Sequence, residues 1–265
     1  MRATANPLVT VWQQRALVRA LVTRDLRIRY AGSAVGLVWA IVNPLLQIAI
    51  LTTVFSLVLQ ARFSGSNPAP FPVNLAWGLF PWIGLQEGIV RSTTALADSG
   101  VLIKRMAFPP EVVMVQPVLA AALQELIALG LLVAVMPLLG VRAAPTVPLC
   151  LLAFMIQVGL GVGIGWILGV LHVYFRDTAH VVVVALQAWF YLTPIVYSLD
   201  AAPGFLRGFL ELNPMSGIVE GFRALAIGGA ISWGALVWSA GAALLALAAG
   251  AFVVSRARPE IADLV

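Results

Sequence analysis

The sequence predicts an all-α integral membrane protein, and three observations carry that prediction. Of its 265 residues, 61% are hydrophobic and 10% are charged, against about 25% charged in an ordinary soluble domain. The mean hydropathy is +0.99, and so few polar groups cannot cover a water-facing surface. Runs of 32, 33 and 32 residues without Lys, Arg, Asp or Glu separate Arg29 from Arg62, Arg142 from Arg176 and Arg223 from Arg256. Each exceeds the roughly 20 residues a helix needs to cross the hydrocarbon core. A membrane strand needs only about 10 alternating residues, so helices are expected and a barrel is not. A soluble enzyme and a disordered chain are both excluded.

The elements follow in chain order. Residues 8–31 carry five Arg and are not a span. Arg19, Thr23 and Arg27 fall at i, i+4 and i+8, with Leu17, Leu21 and Ile28 opposite. That pattern predicts an amphipathic helix lying in the interface, Arg toward lipid phosphates. Six spans are then expected, at 35–59, 73–91, 112–136, 148–172, 179–198 and 233–254. The stretch 199–230 holds Pro203, Pro214 and several Gly. It is too broken to span and reads as short re-entrant helices, tolerable in the membrane only if packed against protein. Asn43-Pro44 and Thr193-Pro194 are expected to bend their spans, because Pro removes a backbone hydrogen bond. The whole chain, 1–265, reads as a single transmembrane domain.

Sidedness follows from Lys and Arg. With both termini in the cytoplasm, 12 of the 16 fall on the cytoplasmic side, leaving Arg62, Arg142, Arg207 and Arg223 outside. The residues after Arg2 show no apolar core with a cleavage site, so the first span is expected to direct insertion. No internal repeat points to an inverted-repeat transporter.

Several chemistries have no residues to run them. The one lysine, Lys104, follows Val-Leu-Ile rather than a Gly-rich loop, so no phosphate loop exists. His172 and His180 flank an expected cytoplasmic loop, with no G-x-S-x-G or H-E-x-x-H. The single cysteine, Cys150, excludes an internal disulfide or a zinc cluster. Glu87 and Glu125, each beside a Gln, lie inside expected spans. They read as interhelical hydrogen-bonding groups or as proton-relay carboxylates, and Glu87 can pair with Arg91 at i,i+4. Gln47, Gln157 and Gln187 read as packing contacts or pore lining.

Four segments occur in an informative order: RDLRIRYAGSAVGLVWAIVNPLLQ from Arg24, LIKRMAFPPE from Leu102, VYFRDTAHVVVVALQAWFYLTPIVYS from Val173 and LNPMSGIVEGFR from Leu212. With the carboxyl end RPEIADLV, they resemble the transmembrane subunits of polysaccharide-exporting ABC transporters of the O-antigen and teichoic-acid type, over almost the whole chain. The resemblance implies six spans, an interfacial helix and re-entrant helices before the last span. It implies a homodimer in the inner membrane, paired with two copies of a separate nucleotide-binding ATPase that carries the ATP and Mg. It implies movement of a lipid-linked polysaccharide to the outer face. This chain would be a transport subunit without its own cofactor or ATPase site, and no nucleic-acid partner is expected.

The resemblance also places roles. Residues 92–108 would hold the segment that docks on the ATPase, with Leu102, Lys104, Arg105 and Phe108 as contacts. The same charges also suit an ordinary positive-inside loop. Arg176 and Asp177 are either a turn pair or a second motor contact. Arg24, Arg27 and Arg29 suit a lipid diphosphate headgroup or bulk anionic lipid. Trp39, Phe55, Trp189, Phe190, Tyr191 and Tyr197 are candidates for the glycan path, because aromatic faces stack weakly and repeatedly on sugars. Trp77, Phe80 and Trp82 read more as an interfacial belt. The rival readings are an ABC permease for a small lipid or drug, and an intramembrane glycan-processing enzyme using Asp200, Glu211 and Glu220.

Overall fold

The computed structural model describes residues 6–30, 38–54, 69–100, 108–199 and 202–264. Among them every regular element is helical. Helix α1 spans Pro7–Gln13 and α2 spans Arg15–Tyr30. Asn6 caps α1 by accepting the Leu8 N–H at 3.0 Å, with Pro7 at the first position. Then come α3 (Trp39–Thr52), α4 (Phe71–Asp98), α5 (Pro110–Val135), α6 (Cys150–Tyr174), α7 (Thr178–Tyr191), α8 (Gly204–Leu212), α9 (Pro214–Ile227) and α10 (Trp233–Leu264). Among the described residues three stretches are long and apolar enough to cross a membrane: Pro110–Leu139, Val147–Tyr174 and Trp233–Ile261. Ile41–Ile50 and Thr178–Tyr191 are shorter apolar helices.

Three expected spans differ in the structure. The one placed at 73–91 is the longer helix Phe71–Asp98 and is not among the stretches apolar enough to cross. The one placed at 179–198 is helical only to Tyr191. Pro194 cannot donate a backbone hydrogen bond, and the chain turns there. The 14 residues of α7 reach about 21 Å, short of the roughly 30 Å hydrocarbon thickness. The last helix instead runs beyond 254, through Arg256 and Arg258. Of the span expected at 35–59, the described helix is α3, and residues 55–59 lie outside the described residues.

Helices α4, α5 and α6 pack mutually, α10 lies along α6, and α9 is lodged against α4, α6 and α10. Small residues permit this closeness, as between membrane helices generally. A Cβ on Gly163 of α6 would overlap the α10 backbone at Ala246 and Leu247, and one on Gly165 would overlap Ser92 of α4. Ser92 Oγ donates to the Met114 carbonyl of α5 at 2.8 Å.

Around this block, α3 and α7 are sparsely covered. Only Thr178, Val182 and Leu186 of α7 are buried. Among the described side chains of α3, Ile48 is the buried hydrophobe, while Ile41, Leu46 and Ile50 are exposed.

Helix α2 docks along part of the expected face: Leu17 and Leu21 pack against the buried cluster, and Ile28 does not. Val18 and Val22 of α2 are buried, and Ile28 is 59% exposed. The seam continues through Asp25 and Arg29, one face at spacings of four, three and four. Those two residues pair with α4. Apolar burial and ion pairing thus set the same rotation, leaving Arg19, Arg24 and Arg27 on outer faces.

Candidate functional site

Polar side chains inside the apolar block gather in three places. At the end nearer the chain termini, an ionic ladder ties α2 to α4 and α5. Arg91 donates to Asp25 at 2.5 Å and lies 3.5 Å from Glu87. Arg29 pairs with Glu87 and donates to Gln124. Beside it, Arg258 of α10 pairs with Glu111, the buried acidic residue in the first turn of α5. Trp166 donates to the Glu111 carbonyl at 3.2 Å, and Tyr174 donates to Glu260 at 2.6 Å. These contacts join the carboxyl-terminal helix to the segment that follows residues 101–107.

Beside the ladder lies an open cavity of about 380 Å³. Trp39, Asn43 and Gln47 of α3 form one wall; Gly84 and Glu87 of α4 and Gln124 and Glu125 of α5 face them. Glu125 is 3% exposed. Its Oε2 accepts from Gln157 of α6 at 2.6 Å, while Oε1 is buried without a partner. The same Gln157 amide donates to the Pro81 carbonyl at 3.0 Å. Gly84 makes room for the carboxyl, since a Cβ there would overlap it.

The far end is organised by Arg223 of α9, 2% exposed. Its Nε donates to the Asn74 carbonyl at 2.9 Å, and Nη1 and Nη2 donate to the Pro194 and Ile195 carbonyls at 2.6 Å each. Glu220, one turn earlier, accepts from Nη1 at 2.9 Å. The guanidinium thus satisfies the backbone of the turn where α7 ends. Asn213 caps α9, accepting from Met215 N at 3.0 Å and Trp189 Nε1 at 2.8 Å. It also donates to the Leu192 carbonyl at 2.9 Å and to Thr193 Oγ1 at 3.0 Å. Buried backbone is tolerable in a membrane only when satisfied in this way.

The structure distributes the sequence candidates as follows. Arg24 and Arg27 are exposed on α2 and border a shallow groove with Arg19, whereas Arg29 belongs to the ladder. Leu102, Lys104, Arg105 and Phe55 lie outside the described residues. Phe108 is partly buried against the apolar cluster at the terminal end. Arg176 and Asp177 are exposed in the turn between α6 and α7.

Among the aromatics, Trp39 lines the cavity. Trp189 and Phe190 stand edge-on to Trp82, at centroid distances of 5.6 and 5.7 Å. Tyr191 is 68% exposed, and its carbonyl accepts from Tyr197 OH at 3.0 Å. Sequence reasoning counted Arg223 and Arg258 only as topogenic charges and gave Glu111 no role. An arginine three residues after Glu220, in a helix entered through Asn213-Pro214, was the available signal for the Arg223 cluster.

Residues 16–227 match the model of the ABC-2 type transporter family. The chain is 29% identical over 219 residues to the O-antigen export system permease protein RfbA of Myxococcus xanthus, covering 81% of this chain and 82% of that one. It is 27% identical over 221 residues to the protein of the same name from Klebsiella pneumoniae, covering 82% of each. It is also 27% identical over 223 residues to the polysialic acid transport protein KpsM of Escherichia coli, covering 83% of this chain and 85% of that one.

Proposed function

The chain belongs to the ABC-2 type transporter family, and from that premise we propose that it is the membrane subunit of an ATP-driven exporter of lipid-linked polysaccharide. The observation that carries this reading is the likeness to two kinds of polysaccharide permease over about four fifths of the chain. The exporter moves its glycan from the cytoplasmic to the outer face of the inner membrane. Two copies of this chain form the path, and two copies of a separate ATPase bind ATP and Mg and drive it. The chain crosses the membrane six times with both termini cytoplasmic, as the Lys and Arg distribution favours.

In this reading the terminal end is the motor end. The segment 92–108 meets the ATPase through Leu102, Lys104, Arg105 and Phe108, and Arg176 and Asp177 provide a second contact. The ladder from Asp25 and Arg29 to Glu87 and Arg91 supports the proposal that motion of that segment carries α2 with it. Arg24 and Arg27, exposed beside a groove, meet the phosphates of the lipid carrier by bidentate, charge-assisted hydrogen bonds.

Gene deletion tests the reading. Glycan should vanish from the cell surface and accumulate on its carrier inside. Unchanged surface glycan overturns the substrate assignment in favour of a small-molecule exporter. Failure to polymerise glycan at all moves the chain to the enzymes.

A further inference from the structure

The cavity beside α3 is chemically unlike the rest of the apolar block. Asn43 and Gln47 stand at i and i+4 on α3, both exposed and both on the cavity wall. Neither side chain hydrogen-bonds to any described residue. Across the cavity, Glu125 is almost wholly buried and keeps an unpartnered oxygen. Primary amides and a carboxylate facing hydrocarbon would be strongly disfavoured. An apolar ligand would leave the same groups unsatisfied, so this wall is made for water or for a hydroxylated molecule. A diphosphate is disfavoured too. Arg29 is engaged by Glu87, and Glu125, the other ionisable side chain facing α3, brings no positive charge to the lining.

The remaining chemistry matches a sugar ring. Its hydroxyls donate to a carboxylate oxygen and both donate to and accept from primary amides. Its C–H face lies flat on an indole. Trp39 is one turn before Asn43 on the same helix and on the same cavity wall. The volume, about 380 Å³, falls at the small end of the roughly 300–1,000 Å³ of ligand pockets. Arg29, on the same helix as Arg24 and Arg27, lines the cavity as well. A sugar held here would therefore follow a carrier phosphate held outside.

We propose that this cavity is a sugar-binding chamber within one subunit, in which Asn43, Gln47 and the unpartnered oxygen of Glu125 take the hydroxyls of a glycan ring and Trp39 takes its face. The proposal rests on the polysaccharide reading above and adds to it a substrate contact separate from any path between subunits.

The first test places a benzophenone amino acid at position 47 and irradiates cells that make the glycan. The expected product is a glycan-bearing adduct that is absent from cells unable to synthesise the glycan. Adducts to lipid alone, or to a second copy of this chain, overturn the chamber. The second test introduces Asn43→Cys with Cys150→Ser and applies a membrane-impermeant thiol reagent. Labelling is expected, and absence of labelling shows a dry wall and overturns the proposal. Labelling without any glycan adduct leaves a chamber for water only, which overturns it equally.

The third test is export by Asn43→Leu/Gln47→Leu. Surface glycan should fall about tenfold, the worth of one or two hydrogen bonds, with carrier-linked glycan accumulating. Leu46→Ala, off the cavity wall, should export normally. If gene deletion removes surface glycan and the double variant does not reduce it, the chamber alone is wrong. If deletion changes nothing, the polysaccharide reading is wrong.

Discussion

The protein buries polar groups in two opposite ways. Around Arg223 and Asn213, most donors and acceptors are matched across α4, α7, α9 and the turn at Pro194, with Asn74 Oδ1 and Ser216 Oγ the exceptions. Around the α3 cavity, Asn43 and Gln47 find no partner among the described residues and Glu125 finds half of one. Both regions lie among packed helices of a strongly apolar chain. Unsatisfied polar groups are costly there, so the difference separates architecture from a site. The more nearly saturated cluster holds the broken segment of α8 and α9 in place. The open one keeps hydrogen-bonding capacity for something that comes and goes.

Removing the centre of the saturated cluster should have the largest effect. Arg223→Leu removes a donor from three carbonyls and leaves Glu220 without its salt-bridge partner. It should cost about 3–5 kcal/mol, read as a sharply lower thermal midpoint and membrane level. A midpoint near wild type would erase the contrast.

The Glu111–Arg258 pair offers the next test. Glu111→Leu alone leaves a mostly buried guanidinium and should cost about 3 kcal/mol. Glu111→Leu with Arg258→Leu should be nearly neutral, as apolar replacements of buried pairs often are. A double-mutant cycle in detergent measures the coupling, and an additive double variant would show that the two side chains act separately.

A smaller loss is expected at Asn213→Ala, about 1 kcal/mol for a lost helix cap. Trp189 should also fluoresce at a shifted wavelength once its indole N–H loses its acceptor. Unchanged stability and emission would remove Asn213 from the saturated cluster. The smallest effect belongs to the open cavity. Asn43→Leu should shift the thermal midpoint by less than about 0.5 kcal/mol equivalent, since surface substitutions usually stay within that range. A large loss would mean that Asn43 is structural and that the two regions are alike.

Parts of this contrast were legible in the chain. Asn43, Gln47, Glu87 and Glu125 stand out as polar residues inside apolar runs, and Glu87 pairs with Arg91 as its spacing suggests. The helix α2 was legible as amphipathic and its apolar face as far as Leu17 and Leu21, but the continuation of that face was not. Periodicity pointed to Ile28, and the seam instead runs through Asp25 and Arg29, because their partners Arg91 and Glu87 lie more than fifty residues away. Arg223 looked like one more outer charge, since nothing local shows which carbonyls it will meet.

What the sequence determined alone is the membrane as solvent, the helical state and the positions of three long apolar spans. Those follow from apolar length and the cost of an unpaired backbone in hydrocarbon, both properties of single segments. Which polar groups are spent on architecture and which stay open is decided by the tertiary structure. A hydrogen bond needs its partner within about 3 Å and at the right angle. Only the close approach of α4, α5 and α6 and the stop of α7 at Pro194 bring some partners that near and hold others apart.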